Sequence, residues 1–257
     1  MLPATVFVVA VMGLLGLIIG SFLAAVSVRL PREEDVVFAR SHCMSCDKPL
    51  AARHMVPVFS WLALRGRCGW CRAAISPRYI LIELAAGAIG VWAALAGVAQ
   101  ADASWLSIGA TALLGWQLLL IGLIDAEHFW LPDVLTWPLV VTGLGTAALI
   151  AQAVPWPQII GVVVGFGLLW GIAALYRIVR KREGLGGGDP FLMAGAGAWV
   201  GWVGLPSVML WACAGGFSLV LARLILRRSV SGTDRLPFGT FLAVGIWLTW
   251  LWGPLGL

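Results

Sequence analysis

Charged side chains are scarce in this sequence: Asp, Glu, Lys and Arg make up 11% of 257 positions, against 61% hydrophobic residues. Soluble domains carry roughly 25% charged residues, so this chain cannot clothe itself in a surface that water would tolerate. The shortage excludes an ordinary soluble enzyme or binding module and makes lipid the main solvent, in keeping with a mean hydropathy of +0.96. The start of the chain lacks a basic n-region, and its apolar run is too long for a signal h-region, so no cleavable targeting segment is expected. Thr5 to Val28 holds no charge and is long enough for the roughly 30 Å hydrocarbon core, which makes it the first span. There is no convincing internal repeat and no low-complexity tract. What is plentiful is Gly (32) and Trp (15), suited to close helix packing and to anchoring at the membrane interface.

Hydropathy predicts an all-α polytopic membrane protein of about eight spans, near 5–28, 79–99, 105–124, 134–152, 159–178, 190–205, 207–226 and 237–254. Turn-like joints are expected at Pro155-Trp156-Pro157 and Gly204-Leu205-Pro206. The long segment Arg29 to Arg78 holds nine of the 17 Lys and Arg, and the other eight fall in Arg177–Arg182 and Arg223–Arg235. With the long segment in the cytoplasm, alternation of spans puts every basic residue at the inner face and leaves Asp102 on an outer connection. Basic clusters that merely punctuate apolar runs call for no nucleic acid; membrane lipid is the expected partner. The expected domains are residues 1–28 as first transmembrane helix, 29–78 as a cytoplasmic zinc-binding insertion, and 79–257 as a seven-helix membrane catalytic domain.

Cys43-Met44-Ser45-Cys46 and Cys68-Gly69-Trp70-Cys71 form two CxxC pairs separated by 21 residues. Four-cysteine zinc sites use such pairs, each supplying two thiolates to a tetrahedral ion. A cytoplasmic segment disfavours disulfides, and one this small gains stability from a metal. Zinc enclosed by four sulfurs has no open position for water, so it would be structural. Unliganded thiols and a redox dithiol are the other readings, and His42 and His54 lie near enough to be spare ligands. Cys213, alone in the seventh span, is expected to be a packing residue.

Carboxylates near spans are costly and therefore informative. Asp125 ends the third span and Asp189 opens the sixth, so both reach the inner face although 64 residues separate them. Two facing carboxylates out of water share one proton, which is the state acid–base peptide hydrolysis needs. The run Gly184-Leu185-Gly186-Gly187-Gly188 allows an unusual backbone turn and leaves room for an extended substrate. The plainer reading of Asp189, followed by Pro190, is an N-cap. Asp133 is expected to cap the fourth span, Glu127 and His128 to lie in a solvated loop, and Glu83 to pair with an arginine of the inner face.

Taken together, these motifs resemble the bacterial prepilin peptidases. The resemblance runs from Gly20-Ser21-Phe22-Leu23 and Arg29-Leu30-Pro31 through the double CxxC, with Pro57-Val58-Phe59-Ser60-Trp61 and Arg65-Gly66-Arg67-Cys68. It continues in Ile75-Ser76-Pro77-Arg78-Tyr79 and Glu83-Leu84, Ile124-Asp125 to Leu131-Pro132-Asp133, Gly186-Gly187-Gly188-Asp189, and Leu236-Pro237-Phe238-Gly239. It implies an inner-membrane aspartic endopeptidase with Asp125 and Asp189 catalytic and Gly186 and Gly188 supporting them. The substrates would be type IV prepilins or pseudopilins, cut after a glycine at the cytoplasmic face. S-adenosylmethionine-dependent N-methylation of the new terminus would follow, the four cysteines favouring this bifunctional form. Ala24 stands where the family commonly has Asn, and Phe191 where it has Lys. A presenilin-like intramembrane protease and a non-enzymatic zinc-containing assembly factor are the alternatives.

Overall fold

The computed structural model describes residues 2–36, 41–99, 104–182, 184–226 and 236–256. Asp102, Arg40, Arg227, Arg228 and Arg235, which entered the charge pattern above, lie outside these. Among the described residues the chain is helical, with two isolated bridges, His42 with Pro49 and Arg67 with Ala74, and no strand. Among the described residues six helices are long and apolar enough to cross a membrane: α1 (Leu2–Arg29), α3 (Arg78–Ala99), α4 (Trp105–His128), α5 (Asp133–Ala151), α6 (Trp156–Arg180) and α7 (Asp189–Ile225). The short α2 (Phe59–Ala63) lies between the first two, and α8 (Phe238–Trp252) is apolar but shorter.

α7 has 37 residues, a rise of ~55 Å and far more than the hydrocarbon core requires. It is broken at Gly201, which takes φ 68° and ψ 175°. Two of the eight expected apolar stretches therefore lie within α7. The joint, however, is not the expected turn at Gly204-Leu205-Pro206, which is helical; the chain bends three residues earlier. A positive φ costs glycine little, whereas Pro206 only removes one i→i−4 donor.

The chain forms two compact units, Met1–Trp116 and Gln117–Leu257, with the boundary inside α4. In the first unit α1 packs along α3, and the Trp116 indole N–H donates to the Ala86 carbonyl at 2.9 Å. In the second unit α7 is the central helix, packed by α5, α6 and α8. A Cβ on Gly161 would lie 2.6 Å from the Gly197 carbonyl oxygen, and one on Gly197 would strike the Gly161 carbonyl. Lipid gives no hydrophobic drive between helices, so backbone approach of this kind is what holds α6 on α7. The Trp199 indole N–H ties α7 to α5 through the Leu139 carbonyl at 2.9 Å. Large apolar side chains such as Leu149, Val163 and Phe217 are exposed, as faces turned to lipid are. Cys213 is exposed as well, on the outer face rather than packed as expected, because the small residues at the helix contacts are glycine and alanine.

Gly197→Leu should therefore destabilise the protein by about 1–3 kcal/mol, read as earlier thermal unfolding in detergent. Gly145→Ala, where a Cβ meets nothing within 4 Å, should leave unfolding unchanged or slightly later.

Candidate functional site

Asp125 lies in the last turn of α4 and Asp189 is the first residue of α7. Both belong to the second unit, and both are buried, at 5% and 3% exposure. Their charges are close enough to act on one another. The acids, far apart in sequence, thus come together at the ends of two helices whose flanks are apolar.

Asp125 is gripped from α8. The Thr240 N–H donates to Asp125 Oδ2 at 2.6 Å, and the Thr240 hydroxyl lies 3.0 Å from the same oxygen. That hydroxyl is also 3.0 Å from the Gly122 carbonyl. It has one proton, so it serves the carboxylate or the carbonyl at any moment, not both. Sequence reading missed Thr240. Its partner is 115 positions away, and the only signal was its place directly after Leu236-Pro237-Phe238-Gly239.

Asp189 is held differently. Its carboxylate Oδ2 accepts the Gly186 N–H at 3.0 Å, while its own N–H donates to the Gly186 carbonyl at 3.2 Å. This reciprocal pair resembles the backward half of a capping box. The N-cap position is Gly188, with no side-chain cap, so the expected N-cap role of Asp189 is not what the geometry shows.

The glycines act by size and not by an unusual turn. Gly188 sits at φ −85° and ψ −18°, ordinary right-handed backbone. A Cβ there would collide with Leu131 Cβ and approach the Leu131 carbonyl oxygen to 2.7 Å. At Gly239 a Cβ would lie 2.6 Å from Leu131 Cδ1 and 2.9 Å from Asp125 Cγ. Leu131, itself buried, is therefore the wedge against which the starts of α7 and α8 close, the one carrying Asp189 and the other Thr240.

The remaining acids fall outside this pair. Glu127 and His128 form the end of α4, helical where a loop was expected, but exposed. Asp133 opens α5 and is exposed; the N-cap there is Pro132, and no side chain caps it. Glu83 lies in the first unit, where its Oε2 accepts the Val58 N–H at 2.7 Å. Among the described residues it has no ion pair, contrary to the arginine partner expected for it. Ala24 is fully buried. Phe191 packs edge-on against Phe166 and tilted against Trp137, ring centroids 5.1 and 6.5 Å away, so Phe191 belongs to an aromatic cluster.

In the first unit the Cys43, Cys46, Cys68 and Cys71 sulfurs all lie within 4.8 Å of one another. Cys43 Sγ and Cys71 Sγ are 3.8 Å apart, matching the ~3.8 Å edge of a tetrahedron with 2.3 Å metal–sulfur bonds. The two CxxC pairs are also local copies of one another, a repeat that the residues alone did not reveal. In each, the first cysteine's sulfur accepts the N–H two residues on (Ser45, Trp70) at 3.5 Å. Its carbonyl accepts the N–H of a positive-φ residue, Asp47 or Arg72, and its N–H donates to the carbonyl beyond, Lys48 or Ala73. The N–H groups of Cys71 and Trp70 lower the Cys68 thiol to about 6. The Ala73 N–H works to lower Cys71, yet burial and the Cys46, Cys68 and Cys43 sulfurs push it up to about 11. Four thiols so close cannot all become anions unless a cation stands among them, and the donor set suits a metal ion. Neither histidine joins the group. His42 Nε2 lies 3.8 Å from Asp47 Oδ1, and His54 packs edge-on against Trp70 at 6.0 Å.

Residues 14–96 match the family described as the bacterial peptidase A24 N-terminal domain, and residues 112–221 match the type IV leader peptidase family. A prepilin leader peptidase/N-methyltransferase of Stutzerimonas stutzeri is 38% identical, over 93% of this chain and 89% of that protein. Proteins of the same description from Pseudomonas aeruginosa and Dichelobacter nodosus are 37% and 35% identical, over 93% and 94% of this chain and 89% and 90% of theirs. No solved structure matches the chain significantly.

Thr240→Val keeps the backbone donor and removes the hydroxyl, leaving a buried carboxylate with one donor fewer. A loss of about 1–3 kcal/mol in denaturant unfolding is expected, and Thr240→Ser should restore most of it.

Proposed function

The chain belongs to the type IV leader peptidase family, and on that premise we propose that it removes the leader peptide of type IV prepilins or pseudopilins and then methylates the new N-terminus. The observation that carries this reading is the pair of buried carboxylates, Asp125 and Asp189, each fixed by its own hydrogen bonds and each within reach of the other's charge.

The chemistry follows from that pairing. One carboxylate, ionised, takes a proton from a water as it attacks the scissile carbonyl, and the other, protonated, donates its proton to the carbonyl oxygen. As the tetrahedral intermediate collapses, the first passes its proton to the leaving amine and the second takes its own back from the hydroxyl. Thr240 steadies Asp125 through this exchange, because its hydroxyl can move to the Gly122 carbonyl when the acid needs no donor. Gly186 supplies the N–H that orients Asp189, and Gly188 lets Leu131 close the wall behind both. No covalent acyl-enzyme is required. The six span-length helices support an inner-membrane location. The scarcity of charge outside the basic clusters supports an active site at the cytoplasmic face, where the substrate's apolar helix meets its leader.

Cys43, Cys46, Cys68 and Cys71 would hold a structural zinc, which would clamp the two knuckles together and carry no step of the hydrolysis. The methyl group would come from S-adenosylmethionine.

Asp125→Asn and Asp189→Asn should each lower cleavage of a synthetic prepilin by about 10²–10⁴-fold while the helical circular dichroism stays unchanged; full cleavage by either variant removes that residue from the reaction. Metal analysis of the purified protein should return one zinc per chain, and close to none from a variant with Cys43→Ser and Cys68→Ser. Wild-type protein free of metal, yet with an unaltered melting temperature after chelation, would refute the structural clamp.

A further inference from the structure

Among the described residues Glu83 is the one buried carboxylate of the first unit, at 7% exposure. It sits in the second turn of α3, inside a helix of span length, where an unpaired anion is expensive. Its Oε2 is taken by the Val58 N–H at 2.7 Å. Oε1 receives no donor, and no cation pairs with the carboxylate, among the described residues. Half of its accepting capacity is therefore open.

The group it does hold is strained. Val58 takes φ 62° and ψ −53°, and the Phe59 N–H donates to the Pro57 carbonyl at 2.6 Å, which makes a three-residue γ-turn of the rare positive-φ form. A β-branched residue avoids that region, and such strain costs about 1–3 kcal/mol. Backbone strain of this size persists where surrounding structure over-determines it, and here the Glu83 carboxylate is the clamp. Next to the turn, Met55, Val56, Phe59 and Leu62 expose apolar side chains.

A buried carboxylate with one oxygen pinned and one open, beside exposed apolar side chains, has the chemistry to recognise a cation at the end of an apolar chain. Hydrolysis of a leader produces that group: the peptide nitrogen becomes a free α-amine, largely protonated at neutral pH, at the head of an apolar segment. We propose that Glu83 is the binding residue for the N-terminal ammonium of the cleaved substrate, with Oε1 receiving the ammonium while the Val58 N–H holds Oε2 in place. The site retains the amine for N-methylation, and so rests on the function proposed above.

The test uses the full chain in lipid nanodiscs with a C-terminally fluorescent peptide of the leaderless substrate, its amine either free or acetylated. Wild-type protein should bind the free amine at least about tenfold more tightly than the acetylated form. Glu83→Gln keeps an oxygen for Val58 but loses the charge. It should bind both peptides alike and raise the methylation KM by the same factor, while leader cleavage stays within about twofold of wild type. Equal affinity of wild-type protein for the two peptides overturns the proposal, and so does a Glu83→Gln variant that discriminates between them as wild type does. Should that variant fail to fold, the comparison of the two peptides on wild-type protein decides alone. Loss of leader cleavage in wild-type protein would instead count against the proposed function, in a separate assay.

Discussion

The second unit is organised around the removal of two carboxylates from water inside a helical bundle that offers them almost no charge in return. A buried carboxylate without partners is costly, and no cation pairs with Asp125 or Asp189 among the described residues. What offsets the cost is a small set of hydrogen bonds from fixed places: the Thr240 N–H and hydroxyl on one side and the Gly186 N–H on the other. The rest of the unit holds those donors still. α7 carries Asp189 at its first residue and packs against α5, α6 and α8. α8 brings Thr240, and Leu131 fills the space that Gly188 and Gly239 leave. Hydrogen bonds to backbone and hydroxyl, in place of salt bridges, would leave the pair free to exchange a proton in the proposed reaction, which a guanidinium partner would suppress.

The four-cysteine segment of the first unit faces a different problem. Few of its residues are buried, so an apolar core cannot hold it. Two knuckles of the same design aim four sulfurs at one point instead. The opposite displacements of Cys68 and Cys71 express the frustration of four thiols crowded together, which a divalent ion would relieve by making every thiolate favourable.

Some of this was legible in the residues alone. Apolar runs long enough to span lipid mark the helices because the bilayer sets their length. The CxxC spacing marks the sulfur cluster because each knuckle is a local structure. Asp125 and Asp189 stand out because a carboxylate beside a span needs a reason to be there. Thr240 could not be read in that way. A threonine in an apolar helix is unremarkable until folding places it against a partner more than a hundred positions away. The break in α7 was misplaced because proline suggested the turn, whereas the backbone bends where glycine makes a positive φ cheap. The glycines before Asp189 suggested special backbone freedom, yet Gly188 is small because Leu131 needs the room. Glu83 looked like half of a salt bridge, and only the fold shows it holding a strained turn. Each of these errors concerns contacts across the fold or a choice between two breakers of one helix, which local sequence does not encode.

The central claim is that Asp125 and Asp189 work as one unit on a single reacting centre. It is tested most directly by the affinity of a substrate-length peptide carrying a hydroxyethylene isostere at the scissile bond, which presents one hydroxyl where the attacked carbon would stand. If the pair acts together, Asp125→Asn and Asp189→Asn each weaken binding about as much as both substitutions combined. Losses that simply add, or binding that survives in either single variant, would contradict the account.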